Sequence, residues 1–251
     1  MTESRKSLLI NCDMGESFGT WQMGQDQEIM PYIDMANIAC GFHAGDANVM
    51  QRTVMLALQY NVKIGAHPAY PDLQGFGRRS MTLAKGEIRA LMCYQLGALE
   101  GITKACGGSL HHVKPHGALY NDMMRDKDTL LQVIQAVSDY DEELLLVLQA
   151  TSRNQEHQEL AAEYGVNLCF EAFSDRAYQD DGLLVPRNQQ GALLSKDEAI
   201  AQARAIMQQG KVSSVRGTEL TMQIDTLCIH GDGSDALPIA RQLYEQKIKD
   251  Q

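Results

Sequence analysis

Leu110-His111-His112-Val113-Lys114-Pro115-His116-Gly117-Ala118-Leu119-Tyr120-Asn121 passes from apolar to polar within the length of one strand. Side chains alternate along a strand, so Leu110, His112 and Lys114 share one face. Pro115 has no N–H to give a central sheet, so the strand must stop near Lys114. Lys114 and His116 are then presented at its carboxyl end. An ammonium beside an imidazole suits an anion, a developing oxyanion or a proton transfer. The plainer reading is a turn that carries two solvated polar residues.

The same design recurs along the chain. Leu8–Asp13 is a short apolar run that ends in a carboxylate, and Ala36–His43 ends in an imidazole. Val62–Pro68 carries His67 at its end and is again closed by a proline. Leu144–Leu148 is a continuous aliphatic run of the kind buried on both faces. Asn167–Phe173 leads into Ser174-Asp175-Arg176, and Thr226–Ile229 leads into His230-Gly231-Asp232. With Leu110–His116 this gives seven strands.

Helical periodicity fills the gaps. Asp46 is placed to cap a helix whose apolar face is Met50, Val54, Ala57 and Leu58. Ile88, Leu91, Met92, Leu99 and Ile102 form a longer stripe that Gly107-Gly108 stops. Leu130, Leu131, Ile134 and Val137 form another. Leu160 and Tyr164 lie in a helix that Gly165 ends. Ser195 and Glu198 fit a capping box, followed by Ile200, Ala203 and Met207 and a stop at Gly210. Leu237, Ala240, Leu243 and Tyr244 mark the last helix. Lys211–Gln223 breaks the alternation and reads as a hairpin decoration.

Strand alternating with helix predicts a parallel sheet covered by helices. An open sheet gathers its site at one switch point, whereas polar clusters here end nearly every strand. A closed barrel brings all those ends to one mouth. The expected fold is α/β: one irregular seven-stranded β/α barrel spanning residues 1–251, since neither a composition break nor a low-complexity linker divides the chain. Asp13, His43, His67, Lys114, His116 and His230 should then line one pocket. Three long connections, Met14–Gly24, Ala69–Met81 and Ala177–Leu194, belong to the same face. They bring Arg78, Arg79, Arg176 and Arg187, whose forks suit carboxylate or phosphate. For each arginine the competing reading is a solvated side chain or a structural ion pair. His111, His112 and His157 are read as structural or surface residues.

At 251 residues, 44% hydrophobic and 22% charged, the chain has the make-up of a soluble domain with a sizeable core. Its net charge of −10 argues against a nucleic-acid binder or a basic membrane-surface protein. No run approaches the ~20 apolar residues of a membrane span, and Leu8–Ile10 is too short for a signal peptide's hydrophobic region. The six cysteines are dispersed without a C-x-x-C pair, which reads as reduced thiols of a cytoplasmic protein, with a zinc–thiolate site as the alternative. The Asp13, His43 and His67 set would also accept a divalent metal. H-E-x-x-H, G-x-S-x-G and the G-x-x-x-x-G-K-[ST] phosphate loop are all missing from the sequence.

The blocks Asn11–Glu16 (NCDMGE), Ala36–Asp46 (ANIACGFHAGD), Gly65–Pro68, Tyr70–Asp72, Gly75–Arg79 (GFGRR), His112–Asn121 (HVKPHGALYN), Asp175–Tyr178, Asp181-Gly182, Val185–Arg187 and His230–Asp232 resemble the LamB/YcsF family. The likeness runs over essentially the whole chain. It implies a barrel similar to glycoside hydrolase/deacetylase folds and the A subunit of a bacterial 5-oxoprolinase. That enzyme would act with B and C subunits, opening 5-oxo-L-proline to L-glutamate at the expense of ATP. In that setting Asp13 is expected to orient or deprotonate water, and Lys114 and His116 to stabilise phosphate or oxyanion charge. His43 and His67 are expected to move or position protons. Arg78, Arg79 and Arg176 are expected to hold substrate, with Asp175, His230 and Asp232 beside them. Two other classes stay open: a stand-alone metal-dependent amidohydrolase or carbohydrate deacetylase, and a non-catalytic binding subunit.

Overall fold

Parallel strands follow one another around a closed barrel: β1 (Leu9–Met14), β2 (Met35–Ala39), β3 (Lys63–His67), β4 (Leu110–Val113), β5 (Leu145–Gln149) and β6 (Leu168–Phe173). After an antiparallel hairpin of β7 (Lys211–Ser213) and β8 (Glu219–Thr221), β9 (Thr226–Ile229) closes the barrel. It pairs with β6 on one side and with β1 on the other, Leu9 opposite Thr226 and Cys12 opposite Ile229. This computed structural model describes residues 8–231, 233 and 235–249. The seven-stranded barrel and the hairpin decoration agree with the sequence reading.

Helices α1 (Asp26–Ile29), α2 (Ala47–Gln59), α3 (Glu87–Ala105), α4 (Gly117–Arg125), α5 (Lys127–Tyr140), α6 (Asn154–Ala162), α7 (Lys196–Gln209) and α8 (Ala236–Lys249) surround the strands. The expected local signals form. Asp46 accepts from the amides of Asn48 and Val49 at 2.9 and 3.1 Å, starting α2. The Ser195/Glu198 capping box starts α7, and Gly210, left-handed at φ 67°, ends it. Helix α4 has no counterpart in the sequence reading: it begins directly behind the Pro115-His116 turn. Gly117 there has φ 57°, and a Cβ would sit 2.5 Å from the Gly77 carbonyl oxygen, so glycine is required.

The main apolar core lies between strands and helices, where Ile10, Ile38, Leu146, Ala172 and Leu227 meet the helical stripes. The barrel's own interior is layered differently. At the amino ends of the strands, Met35, Val147 and Cys169 form a separate apolar plug with Leu9 and Leu145. One layer up, the interior is polar. Asn11 Nδ2 donates to Thr226 Oγ1 at 3.0 Å, Asn37 Nδ2 donates to Asn11 Oδ1 at 2.9 Å, and the His112 Nε2 contacts Asn37 Oδ1 at 2.8 Å. His112 is fully buried here, so it is an interior residue and not a surface one. It lies across Gly65, where a Cβ would stand 2.1 Å from the imidazole. Satisfying each polar group in this layer offsets its desolvation and gives the layer above a rigid floor.

Candidate active site

Above that floor, Asp13 lies near the end of β1, His67 ends β3, Lys114 follows β4, and Cys228 lies on β9. Lys114 Nζ stands at the centre, 3.0 Å from Asp13 Oδ1, 3.1 Å from Glu171 Oε2 and 3.1 Å from Cys228 Sγ. Only 2% of Lys114 is exposed. Burial alone would pull its pKa down. The Asp13 carboxylate, the Cys228 sulfur and the Glu171 carboxylate outweigh burial and hold it well above the ordinary lysine value, so the group is an ammonium. Asp13 is the mirror case. Burial pushes its carboxyl up, but Lys114 and His67 pull it well below the usual carboxylate range. Its Oδ1 also accepts from Asn37 Nδ2 at 2.8 Å.

Beside this pair lie three histidines and a glutamate. His67 Nδ1 is 2.6 Å from the Lys114 carbonyl oxygen, and His116 Nε2 is 2.9 Å from the Phe76 carbonyl oxygen. A carbonyl only accepts, so both nitrogens carry their ring's proton. The other nitrogens, His67 Nε2 and His116 Nδ1, face each other at 2.9 Å. The His43 ring stacks on His116 with centroids 3.7 Å apart and planes at 5°. His43 Nε2 meets Glu16 Oε1 at 3.1 Å. Burial depresses the pKa of His43 and of His116 well below the ordinary value, so both rings are neutral. Glu16, His43, His67 and His116 offer ligand atoms that all lie within 4.8 Å of one another, which is compatible with a divalent metal.

A cavity of about 640 Å³ opens over these residues. Asp13, His67, Lys114, His116 and His230 line it, as do Arg78 and Arg176. These expected residues do come together at the carboxyl ends of the strands. His43 stands behind His116 and does not line the cavity. Asp175 holds His230, whose Nδ1 lies 2.8 Å from Asp175 Oδ2. The His230 ring stacks on Phe173 at 5.5 Å. Burial pushes the Asp175 carboxyl up, but His230 outweighs it and the pKa stays below the ordinary value. Arg176 Nη2 donates to the Val185 carbonyl at 2.7 Å, tying down the long loop after β6. Burial and the neighbouring Arg187 pull its pKa down to about 10.

Arg79 differs from its neighbour Arg78. It forks onto the buried Asp72, Nε donating at 2.9 and 3.0 Å, and it does not line the cavity. It is therefore a loop clamp and not a cavity residue. Asp232 lies outside the described residues. Sequence reasoning missed Glu16, Asn37, Glu171 and Tyr120 near the cluster, and Arg125 in the cavity wall. Arg187, read from the sequence only as one of the loop arginines, lines that wall too. Glu16 and Asn37 stand inside two of the quoted blocks, Asn11–Glu16 and Ala36–Asp46, but nothing in their own neighbourhood shows which histidine or carboxylate they meet. All six cysteines are free thiols, and Cys12, Cys40, Cys169 and Cys228 are buried. Among the described residues no helix is long and apolar enough to cross a membrane.

A closed seven-stranded parallel barrel with acid, ammonium and imidazole groups gathered at the strand ends defines a barrel protein of the enzyme type. The chain belongs to the LamB/YcsF family, whose model matches residues 8–251. It is 50% identical over 241 residues to a Vibrio cholerae protein named as the A subunit of 5-oxoprolinase, covering 96% of this chain and 97% of the relative. It is 53% identical over 239 residues to the second 5-oxoprolinase A subunit of Pseudomonas putida, covering 95% and 93%. Its fold matches the crystal structure of a lactam utilization protein from Thermus thermophilus with a TM-score of 0.88, 40% identity and 97% of each chain covered. A putative cellobiose-phosphate cleavage protein from Enterococcus faecalis, 15% identical at a TM-score of 0.53 over 98% of this chain and 94% of that one, shares the barrel fold alone.

Proposed function

We propose that this chain is the lactam-opening subunit of an ATP-dependent 5-oxoprolinase. It works with partner subunits, the B and C subunits of the family resemblance, to convert 5-oxo-L-proline, ATP and two waters to L-glutamate, ADP and phosphate. The observation that carries this reading is the buried Asp13–Lys114 pair, 3.0 Å apart, on the floor of a cavity walled by arginines. The names of relatives about 50% identical over nearly their whole length support the substrate.

A lactam carbonyl is resonance-stabilised and resists water. Phosphorylation of its oxygen makes the ring carbon electrophilic. Water adds to that carbon, the C–N bond breaks with a proton going to nitrogen, and an acyl phosphate remains. A second water then releases phosphate and leaves the glutamate side-chain carboxylate. In this scheme Asp13 orients each water and accepts its proton late. A carboxylate held well below its usual pKa is a weak base, which suits attack on an already activated carbon. Lys114 stands where charge develops on the oxygens. His230, oriented by Asp175, delivers the proton to the departing nitrogen. Arg78, Arg176 and Arg187 receive the substrate carboxylate and the phosphoryl group.

The reading is tested by incubating the chain with 5-oxoproline and ATP, with and without partner subunits, and measuring glutamate and ADP. The assembled enzyme should form both in equal amounts, and the isolated chain should form little glutamate. Full ATP-dependent turnover by the chain alone would contradict the division of labour.

A further inference from the structure

An ammonium has three hydrogens to donate, and Lys114 meets four acceptors. Its Nζ lies 3.0 Å from Asp13 Oδ1, 3.3 Å from Asn11 Oδ1, 3.1 Å from Cys228 Sγ and 3.1 Å from Glu171 Oε2. Every hydrogen is therefore spent on the floor. The lactam reading, on which this inference rests, asks the same ammonium to meet charge on the substrate's oxygens. A floor partner must then lose its share. Asp13 Oδ1 and Asn11 Oδ1 each keep a second donor, Asn37 Nδ2, at 2.8 and 2.9 Å. Cys228 offers a sulfur, which is a weak acceptor. Glu171 is the exposed point of the arrangement. It is fully buried, and beyond Lys114 its bond among the described residues is a long one from Asn11 Nδ2, at 3.3 Å. A buried carboxylate that loses a donor costs its desolvation.

A spare donor stands beside it. Tyr120 lies in the first turn of α4 and lines the cavity, 5% exposed. Its Oη is buried and makes no hydrogen bond, and the same holds for Glu171 Oε1. Buried polar atoms are nearly always paired, so two unpaired neighbours call for a reason. Burial, and after it the Glu171 carboxylate, push the phenol's pKa well above its ordinary value, so the hydroxyl keeps its proton and is a donor. The Tyr120 ring stands edge-on to Phe173, with centroids 6.0 Å apart and planes at 87°. Phe173 is two residues beyond Glu171 on β6 and shares its inward face. We propose that Tyr120 is a positioning residue for Lys114: its hydroxyl donates to Glu171 Oε1 as the ammonium turns from Glu171 to the substrate's oxygen.

The hydroxyl is sealed from the cavity, so it acts through Glu171 and does not touch the substrate. One hydrogen bond replaces another and no proton changes owner. Glu171 has a donor beside Asn11 before and after the exchange, so the buried carboxylate is never stranded while the ammonium serves the substrate. Glu171 in turn is a holding position for Lys114 between turnovers.

The test follows glutamate formation by the assembled enzyme at saturating ATP. Tyr120→Phe removes the hydroxyl and keeps the ring. Its kcat should fall roughly 10- to 100-fold, the scale of one hydrogen bond to a charged group. KM and the melting temperature should stay near wild type, because the hydroxyl makes no bond in the resting protein. Glu171→Gln removes the charge that needs the donor, so adding Tyr120→Phe to it should cost far less than in the wild-type background. Wild-type kcat in Tyr120→Phe would overturn the inference, and so would an equal loss in both backgrounds. A loss that appears as a raised KM or a lowered melting temperature would assign Tyr120 to packing and overturn it as well. Each of these results leaves glutamate formation by the unmodified enzyme, and with it the lactam reading, standing. No glutamate from the unmodified assembled enzyme would instead overturn the lactam reading, and this inference with it.

Discussion

The two ends of the barrel interior are built from the same strands and differ in almost everything else. Reading up β1, the inward positions are Leu9, Asn11 and Asp13. Reading up β6, they are Cys169, Glu171 and Phe173. The amino end is an apolar plug that needs nothing but shape. The carboxyl end holds a buried ammonium, carboxylates and imidazoles, each needing a partner. Between them, the asparagines and His112 convert one environment into the other. The lesson is that stability can be concentrated at one end so that costly charge is tolerated at the other.

Substitutions at the two ends should therefore separate stability from turnover. The largest effect is expected from Lys114→Met, which leaves Asp13 and Glu171 facing each other without their ammonium. Breaking a buried pair from one side costs roughly 3–5 kcal/mol, a melting temperature lower by about 10 °C for a chain of this size. Glutamate formation by the assembled enzyme should fall roughly 100- to 1000-fold, the scale of a lost oxyanion donor. Calorimetry and a glutamate assay read the two effects. Wild-type turnover in this variant would remove Lys114 from the chemistry.

Met35→Ala, in the plug, should destabilise by about 2–5 kcal/mol through the cavity it leaves. In the variant that remains folded, kcat/KM should stay near wild type. A large loss of turnover without a loss of stability would show that the two ends are not separable. The smallest effects come from the arginines. Arg187→Ala should raise the KM for substrate about 10-fold by losing one charge-assisted contact. Arg79→Gln should change KM little, because its guanidinium serves Asp72 and its side chain is 63% exposed.

The seven strands are legible because each is a short apolar run with a polar end, and the loops that follow carry glycine, proline or charge. Helix α4 is not legible, since Gly117–Asn121 begins immediately behind a proline turn and offers less than two turns of pattern before polar residues return. The convergence of Asp13, His67, Lys114, His116 and His230 follows from the barrel, because strand ends meet there whatever their distance in sequence. Which neighbour points inward does not follow in loops. Arg78 and Arg79 are adjacent and alike, and only the position of Asp72 decides that one faces the cavity and the other clamps its own loop. His112 is within reach of sequence reasoning. It shares the strand face of Lys114, and once the barrel closes that face is the interior.

The central claim is that Asp13 handles water on the cavity floor, and Asp13→Asn in the assembled enzyme tests it most directly. Asparagine keeps the size and the fold but cannot take a proton. With glutamate and ADP measured in the same reaction, glutamate formation should fall by roughly 100-fold or more, while ADP formation falls less, so that the two products no longer match. Wild-type glutamate formation, coupled one to one with ADP, would contradict the claim and leave Asp13 as the partner that keeps Lys114 charged.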